Sequence, residues 1–211
     1  IENKMLDVHR VHLLCGAFKG KDLYAELSGL LNDEMIPDYK RDEFRNMTYT
    51  RQENYEGVSE FKRALNYFID YKYKESIINQ IAKKFNYNFD NKSFYVSINN
   101  LITIKKSGHV IGSHTKSHPV MSKLSREDQR AQIEDSFGFL NSIGCIEEKT
   151  YCHPHGGFHS FNEDTVDLLS IQNVKYSFNV DSRDILETDI NQSRQFLPRY
   201  DCNQFIYGKA S

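Results

Sequence analysis

The 211 residues contain no tryptophan, only four prolines and only four cysteines, and each scarcity removes a class of protein. Cys15, Cys145, Cys152 and Cys202 are scattered and form no Cys-x-x-Cys pair, so neither a zinc ribbon nor a dense disulfide framework is indicated. No apolar run approaches the length of a membrane span. Charge of one sign is also lacking: 27 Lys and Arg stand against 29 Asp and Glu, a net −2. That balance makes no electrostatic case for a nucleic acid or a membrane surface as partner. What is plentiful is flat aromatic surface, 13 Tyr and 14 Phe. Such faces suit sugar rings, but filling a core is the simpler use for most of them. The length allows one α/β domain with a sizeable core.

Apolar spacing divides the chain in two. Val8, Val11, Leu14 and Cys15, then Leu23, Leu27, Leu30 and Leu31, predict two amphipathic helices separated by residues 16–22. Residues 32–60 are polar and weakly periodic, which predicts a long surface connection with short helical pieces. Phe61, Leu65, Phe68 and Ile69 resume the helical period, Ile77, Ile78, Ile81, Ala82 and Phe85 continue it, and the Asn-rich tract 86–91 ends it. Residues 1–92 therefore read as a mainly helical insertion or cap. His9 and His12, with Asp7 beside them, share one helix face. Packing of that face against the domain is favoured there over a second ligand set.

From Ser93 the texture changes to short extended runs alternating with helices. Residues 94–97 predict a strand, 98–106 a helix stopped by Gly108, and Val110-Ile111 the end of a buried strand. Ser125 is a good N-cap for a helix through Ile143, closed by Gly144. Tyr151-Cys152 ends a strand, a helix covers about 162–170, Tyr176–Val180 is a strand, and Phe196–Tyr200 is a last strand candidate. That alternation is the signature of parallel βα units, whose loops after the strands carry chemistry.

The most informative stretch is Ser113-His114-Thr115-Lys116-Ser117-His118-Pro119. If one helical turn joins them, imidazoles at i and i+4 project to one side and can reach a single divalent ion. Pro119 disfavours the right-handed helical region for His118, so the turn ends there, and Thr115 and Ser117 can hold it through local hydrogen bonds.

This stretch resembles the His-[Ser/Thr]-x-x-His metal motif of the NodB-like polysaccharide deacetylases, carbohydrate esterase family four. Cys152-His153-Pro154-His155-Gly156-Gly157 resembles the family's substrate-side Pro-aromatic-Gly loop, and Leu197-Pro198-Arg199-Tyr200-Asp201 its late Arg-x-Asp segment. The resemblance covers about residues 93–211. It implies an incomplete or distorted (β/α) barrel as the α/β core and a divalent metal, zinc foremost, held by His114 and His118. The implied reaction is hydrolysis of acetyl groups from N-acetylated sugars of a poly- or oligosaccharide. By the same resemblance the backbone N–H of His155 faces the oxyanion, and Pro154, Gly156 and Gly157 line the substrate. Arg199 and Asp201 provide a charge pair for catalysis, with a plain surface salt bridge as the other reading.

The departures are as specific. The family's Thr-Phe-Asp-Asp-Gly strand end supplies the base and a third ligand, and no Asp-Asp pair occurs in these 211 residues. The expectation is that such a segment is missing ahead of residue 1, leaving the site incomplete. Cys152 stands where the family has an arginine. No histidine follows His159, so the late general acid has no match, and His153 and His155 are the candidates for it. A catalytically inactive carbohydrate-binding relative is the alternative. A hydrolase of another class, combining His9 and His12 with His114 and His118, is a third.

Overall fold

The computed structural model describes residues 4–36, 54–90 and 94–206, in two compact units that divide between Tyr95 and Val96. Most of the 32–60 connection, with Pro37 and the charged run 39–43, lies outside the described residues.

The first unit is helical. It comprises α1 (Asp7–Ala17), α2 (Gly20–Leu30), α3 (Val58–Arg63) running into a π-turn at Ala64–Phe68, and α4 (Tyr71–Lys84). The gap between α1 and α2 is only Phe18-Lys19, shorter than residues 16–22, because Gly16 and Ala17 stay helical and α2 starts at Gly20. Gly20 is buried under α3: a Cβ there would lie 2.4 Å from a Val58 methyl carbon, so only glycine lets the two segments approach. The apolar stripes of the helices close on one core that includes Leu14, Leu27, Phe61, Leu65, Ile78 and Ile81. Into the same unit are folded three almost fully buried cations, Arg10, Lys62 and Lys74.

The second unit mixes helices with short parallel pairings. Its elements are α5 (Ile98–Lys106), α6 (Arg126–Ser142), β1 (Thr150–Cys152), α7 (Glu163–Ile171), β2 (Tyr176–Phe178) and α8 (Glu187–Gln192). Ser125, Gly108 and Gly144 cap helices as read from the sequence, and Asn162 adds a cap not read there. Ser125 accepts from the Asp128 N–H, Asn162 from the Thr165 N–H, and Gly108 and Gly144 take positive φ after their helices. β1 and β2 pair in parallel, Tyr151 opposite Ser177, and single parallel bridges add Ser113 beside Tyr151 and Leu197 beside Phe178. Four segments thus lie side by side in chain order with α6, α7 and α8 in the intervening crossovers, as parallel neighbours require. Among the described residues the sheet has two strands and these bridges, not a closed barrel.

Several predicted strands shrink or vanish. Residues 94–97 form no strand; Ser97 instead caps α5 by accepting from the Asn100 N–H. Val110 is 75% exposed, so the apolar pair 110–111 is not a buried strand end, and pairing begins only at Ser113. The last strand is reduced to the bridge at Leu197. Beneath this sheet Tyr151, Ile133, Phe137, Phe161, Leu168 and Leu169 form a second core. No helix among the described residues is long and apolar enough to cross a membrane.

Candidate active site at the strand ends

Parallel pairing places the C-terminal ends of neighbouring segments at one edge, and the singled-out loops all leave from that edge. They are residues 114–118 after the Ser113 bridge, 153–157 after β1, 179–184 after β2 and 198–201 after the Leu197 bridge. Val180 N–H donates to Gly156 O (3.1 Å) and Arg199 N–H to Asp181 O (3.0 Å), tying adjacent loops together.

The two motif histidines meet, but not through a helical turn. Residues 114–118 are irregular, with Thr115 at φ 67° and His118 at φ 58°. Pro119 does keep His118 out of the right-handed region, and the residue adopts the left-handed one. Their ring centroids lie 4.7 Å apart at 77°. The loop is fixed from below. Thr115 Oγ1 accepts from the His118 N–H (3.0 Å), and Ser117 N–H and Oγ both donate to Gln132 Oε1 (3.0 and 3.1 Å). Ser113 Oγ bonds Ser136 Oγ, and Lys116 pairs with Asp135 at 2.9 Å. Ser117 therefore works through α6 and not through local backbone. Gln132 and Ser136 escaped the sequence reading; their signal is that they flank the buried Ile133 and Phe137 on α6.

His114 is exposed, and its Nδ1 lies 2.8 Å from Cys152 O. A carbonyl can only accept, so Nδ1 carries the proton. His155 stands at φ 61°, and its ring is 4.7 Å from that of His118, the same separation as within the motif pair. Of the five non-glycine residues with positive φ among the described residues, Asn86 and Asn173 close helices, where asparagine is a usual choice. The other three, Thr115, His118 and His155, belong to this site, each at roughly 1–3 kcal/mol of backbone strain.

Other candidates take different places. Gly156 is buried at φ 69°, and a Cβ on it would come 2.3 Å from Val180; one on Gly157 would come 2.5 Å from the His159 ring. The room left by these glycines is thus filled by the chain's own side chains. Pro154 is buried beside them. His153 is 1% exposed, stacks on Phe161 at 3.8 Å and donates from Nε2 to Gln195 O (2.7 Å). Burial lowers its pKa to about 4, which makes it a neutral strut beneath the loop and removes it from the general-acid candidates. Burial also raises the Cys152 thiol, opposed by the positive charge of Arg199. The half-buried Arg199 has a buried Nε without a hydrogen-bond acceptor.

Two imidazoles brought together are donors of the type a first-row divalent ion takes. As they stand, the rings pack edge to face, and among the described residues no three His, Cys, Asp or Glu side chains are gathered closely enough to hold an ion. His9 and His12 belong to the other unit. His9 Nδ1 bonds Tyr95 OH (2.8 Å), and Lys62 lowers the His12 pKa beyond the effect of burial, so a cation lies near that pair already.

The sequence profile of the polysaccharide deacetylase family matches residues 63–177, more than half the chain and including both the histidine motif and the 152–157 loop. Chitin deacetylase 2 of Saccharomyces cerevisiae is 43% identical over 54 residues, which is 26% of this chain and 17% of that protein. The chain thus matches well under two thirds of that relative. The solved structure of the Streptococcus pyogenes deacetylase PplD, in complex with acetate, has a TM-score of 0.46 at 17% identity, over 59% of this chain and 57% of that one. With the profile running through both site loops, the chain belongs to the polysaccharide deacetylase family.

Proposed function

We propose that this chain acts in a metal-dependent hydrolase that removes acetyl groups from N-acetylated sugars of a poly- or oligosaccharide. The observation that carries this reading is the His114–His118 ring pair at the strand ends, inside the stretch matched to the family. His114 and His118 would hold a divalent ion, zinc foremost given the nitrogen donors. Bound there, the ion would polarise the acetyl carbonyl and acidify the attacking water.

The remaining work falls to the chain's own groups. The Cys152 carbonyl orients His114 and fixes its tautomer. The His155 N–H is offered to the developing oxyanion, with Pro154, Gly156 and Gly157 shaping the substrate side of the same loop. Arg199, whose charge is felt at Cys152, takes the place of the arginine that the family carries at that position. It orients a catalytic carboxylate, a role in which Asp201 assists. No Asp-Asp pair is present in the sequence, so the family's paired carboxylates have no counterpart in that form among these 211 residues.

The same lack favours a second reading, a carbohydrate-binding relative without turnover. Acetate release from N-acetylated chito-oligosaccharides separates the two. The chain joined to a Thr-Phe-Asp-Asp-Gly strand from a family member should release acetate, and chelator should abolish it. Binding of the oligosaccharide with no acetate from the joined protein would favour the binder. Chelator-resistant release by the chain itself would contradict metal dependence.

A further inference from the structure

The helical unit holds a cleft of its own, lined by the end of α2, the turn that follows it, and the helix formed by α3 and the π-turn. Its volume is about 560 Å³. Small-molecule sites run from roughly 300 to 1,000 Å³, so a single sugar unit fits. The lining divides by chemistry. Tyr24 presents a ring that is 39% exposed, while Ile36 and the half-buried Phe68 supply apolar surface. Two carboxylates, Asp33 and Glu60, and one guanidinium, Arg63, complete the charged part. The π-turn shapes one wall: Ile69 N–H reaches back to Ala64 O (2.9 Å), and Ala64 and Phe68, the two ends of that turn, both line the cleft. Such widened turns are rare and recur at functional sites.

This mixture selects a ligand. An aromatic face with apolar surface beside it suits the flat C–H face of a pyranose ring, and the hydroxyl edge of the sugar takes the polar groups. The charge of the lining, two carboxylates against one guanidinium, favours a cation. An N-acetylated sugar is neutral, whereas its deacetylated form carries an ammonium. We infer that this cleft binds an amino sugar unit, the chemical product of the proposed reaction, as a second saccharide site built from residues remote in sequence from the histidine corner. The inference rests on the proposed deacetylation for the polymer concerned. Tyr24 stacks on the ring, and Glu60 on α3 pairs with the ammonium. A deacetylated stretch held there keeps the protein on its polymer between successive hydrolyses.

Calorimetric titration of the protein with a glucosamine trisaccharide, and with its fully N-acetylated counterpart, tests this. The amino form should bind more tightly than the acetylated one, and its affinity should fall as salt rises. Tyr24 and Glu60 are both exposed, so substitutions there leave the core intact, as circular dichroism would verify. Tyr24→Ala should weaken binding of the amino form roughly tenfold. Glu60→Gln should weaken it about threefold and narrow the preference over the acetylated form. His114→Ala/His118→Ala should bind the amino form as the unaltered protein does. No binding of the amino form, or binding that neither Tyr24→Ala nor Glu60→Gln changes, would overturn the inference. Preference for the acetylated form, abolished in His114→Ala/His118→Ala, would overturn it too and assign saccharide binding to the histidine corner alone. Failure of acetate release by the joined protein described above would sink the deacetylase reading without altering these titrations.

Discussion

The two units spend their buried polar groups differently. In the helical unit the interior cations are clamped between helices: Arg10 bonds Asp7 at 3.1 Å and Asn79, and lies over Phe89, while Lys74 donates to Asn66 at 2.9 Å. The Arg10–Asn79 contact ties α1 to α4, and the Lys74–Asn66 bond ties α4 to the π-turn. In the second unit buried Ser136, His153, Ser177 and Gln195 hold the strand ends and their loops, where His114, His118 and His155 are half-buried or exposed. One unit uses polarity to fix helix packing, the other to aim three imidazoles. Backbone strain follows the same division, since among the described residues left-handed non-glycine residues other than helix-closing asparagines occur only at the histidine corner.

The contrast can be broken most forcefully through the first core. Phe61 is fully buried among Leu, Ile and Ala side chains, so Phe61→Ala should lower the stability of that unit by about 3–5 kcal/mol. Urea unfolding followed by amide exchange in α1–α4 measures it. A loss below about 1 kcal/mol would mean that the helices do not share the core described.

Lys74 sharpens the comparison. Burial pulls its ammonium pKa down from 10.5 to about 8. Below about 8 both folded and unfolded chains are protonated, and the folded one bears the desolvation. Between about 8 and 10.5 the unfolded chain holds the proton and the folded chain does not, so stability rises with pH across that window. Lys74→Met should therefore stabilise the unit by about 3 kcal/mol at pH 7, with the advantage over wild type closing above pH 10.5. Thermal unfolding of both proteins across that range checks the sign. An advantage independent of pH would refute burial of the charged amine.

The smallest effect lies in the second core. The hydroxyl of Tyr151 is buried without a hydrogen-bond partner. Tyr151→Phe removes an unsatisfied group and should leave stability unchanged or raise it by up to about 1 kcal/mol. A clear loss in denaturant melts would show that the hydroxyl has a partner, such as a buried water.

Helices and their ends were legible because their determinants are local. Ser125, Asn162, Gly108 and Gly144 act within a turn of themselves, and the aliphatic stripes of α2 and α4 repeat often enough to be read. β1 and β2 were legible from their composition, but the pairing of Ser113 was not, since it depends on Tyr151, 38 residues away. Val110 and Ile111 have strand composition but no neighbour to pair with. Within the site, His114 and His118 could be singled out by spacing, yet the reason they meet is tertiary. Gln132 and Ser136 on α6 pull an irregular loop into a shape that no i,i+4 rule contains. The ring of His155 could not be predicted beside them, because nothing local links residues 118 and 155.

The direct test of the division between the units is zinc stoichiometry by equilibrium dialysis for two double variants, one in each unit. His9→Ala/His12→Ala should still bind one zinc per chain, and His114→Ala/His118→Ala should bind none. Zinc retained by the second variant, or lost only in the first, would contradict the placement of the metal site at the strand ends.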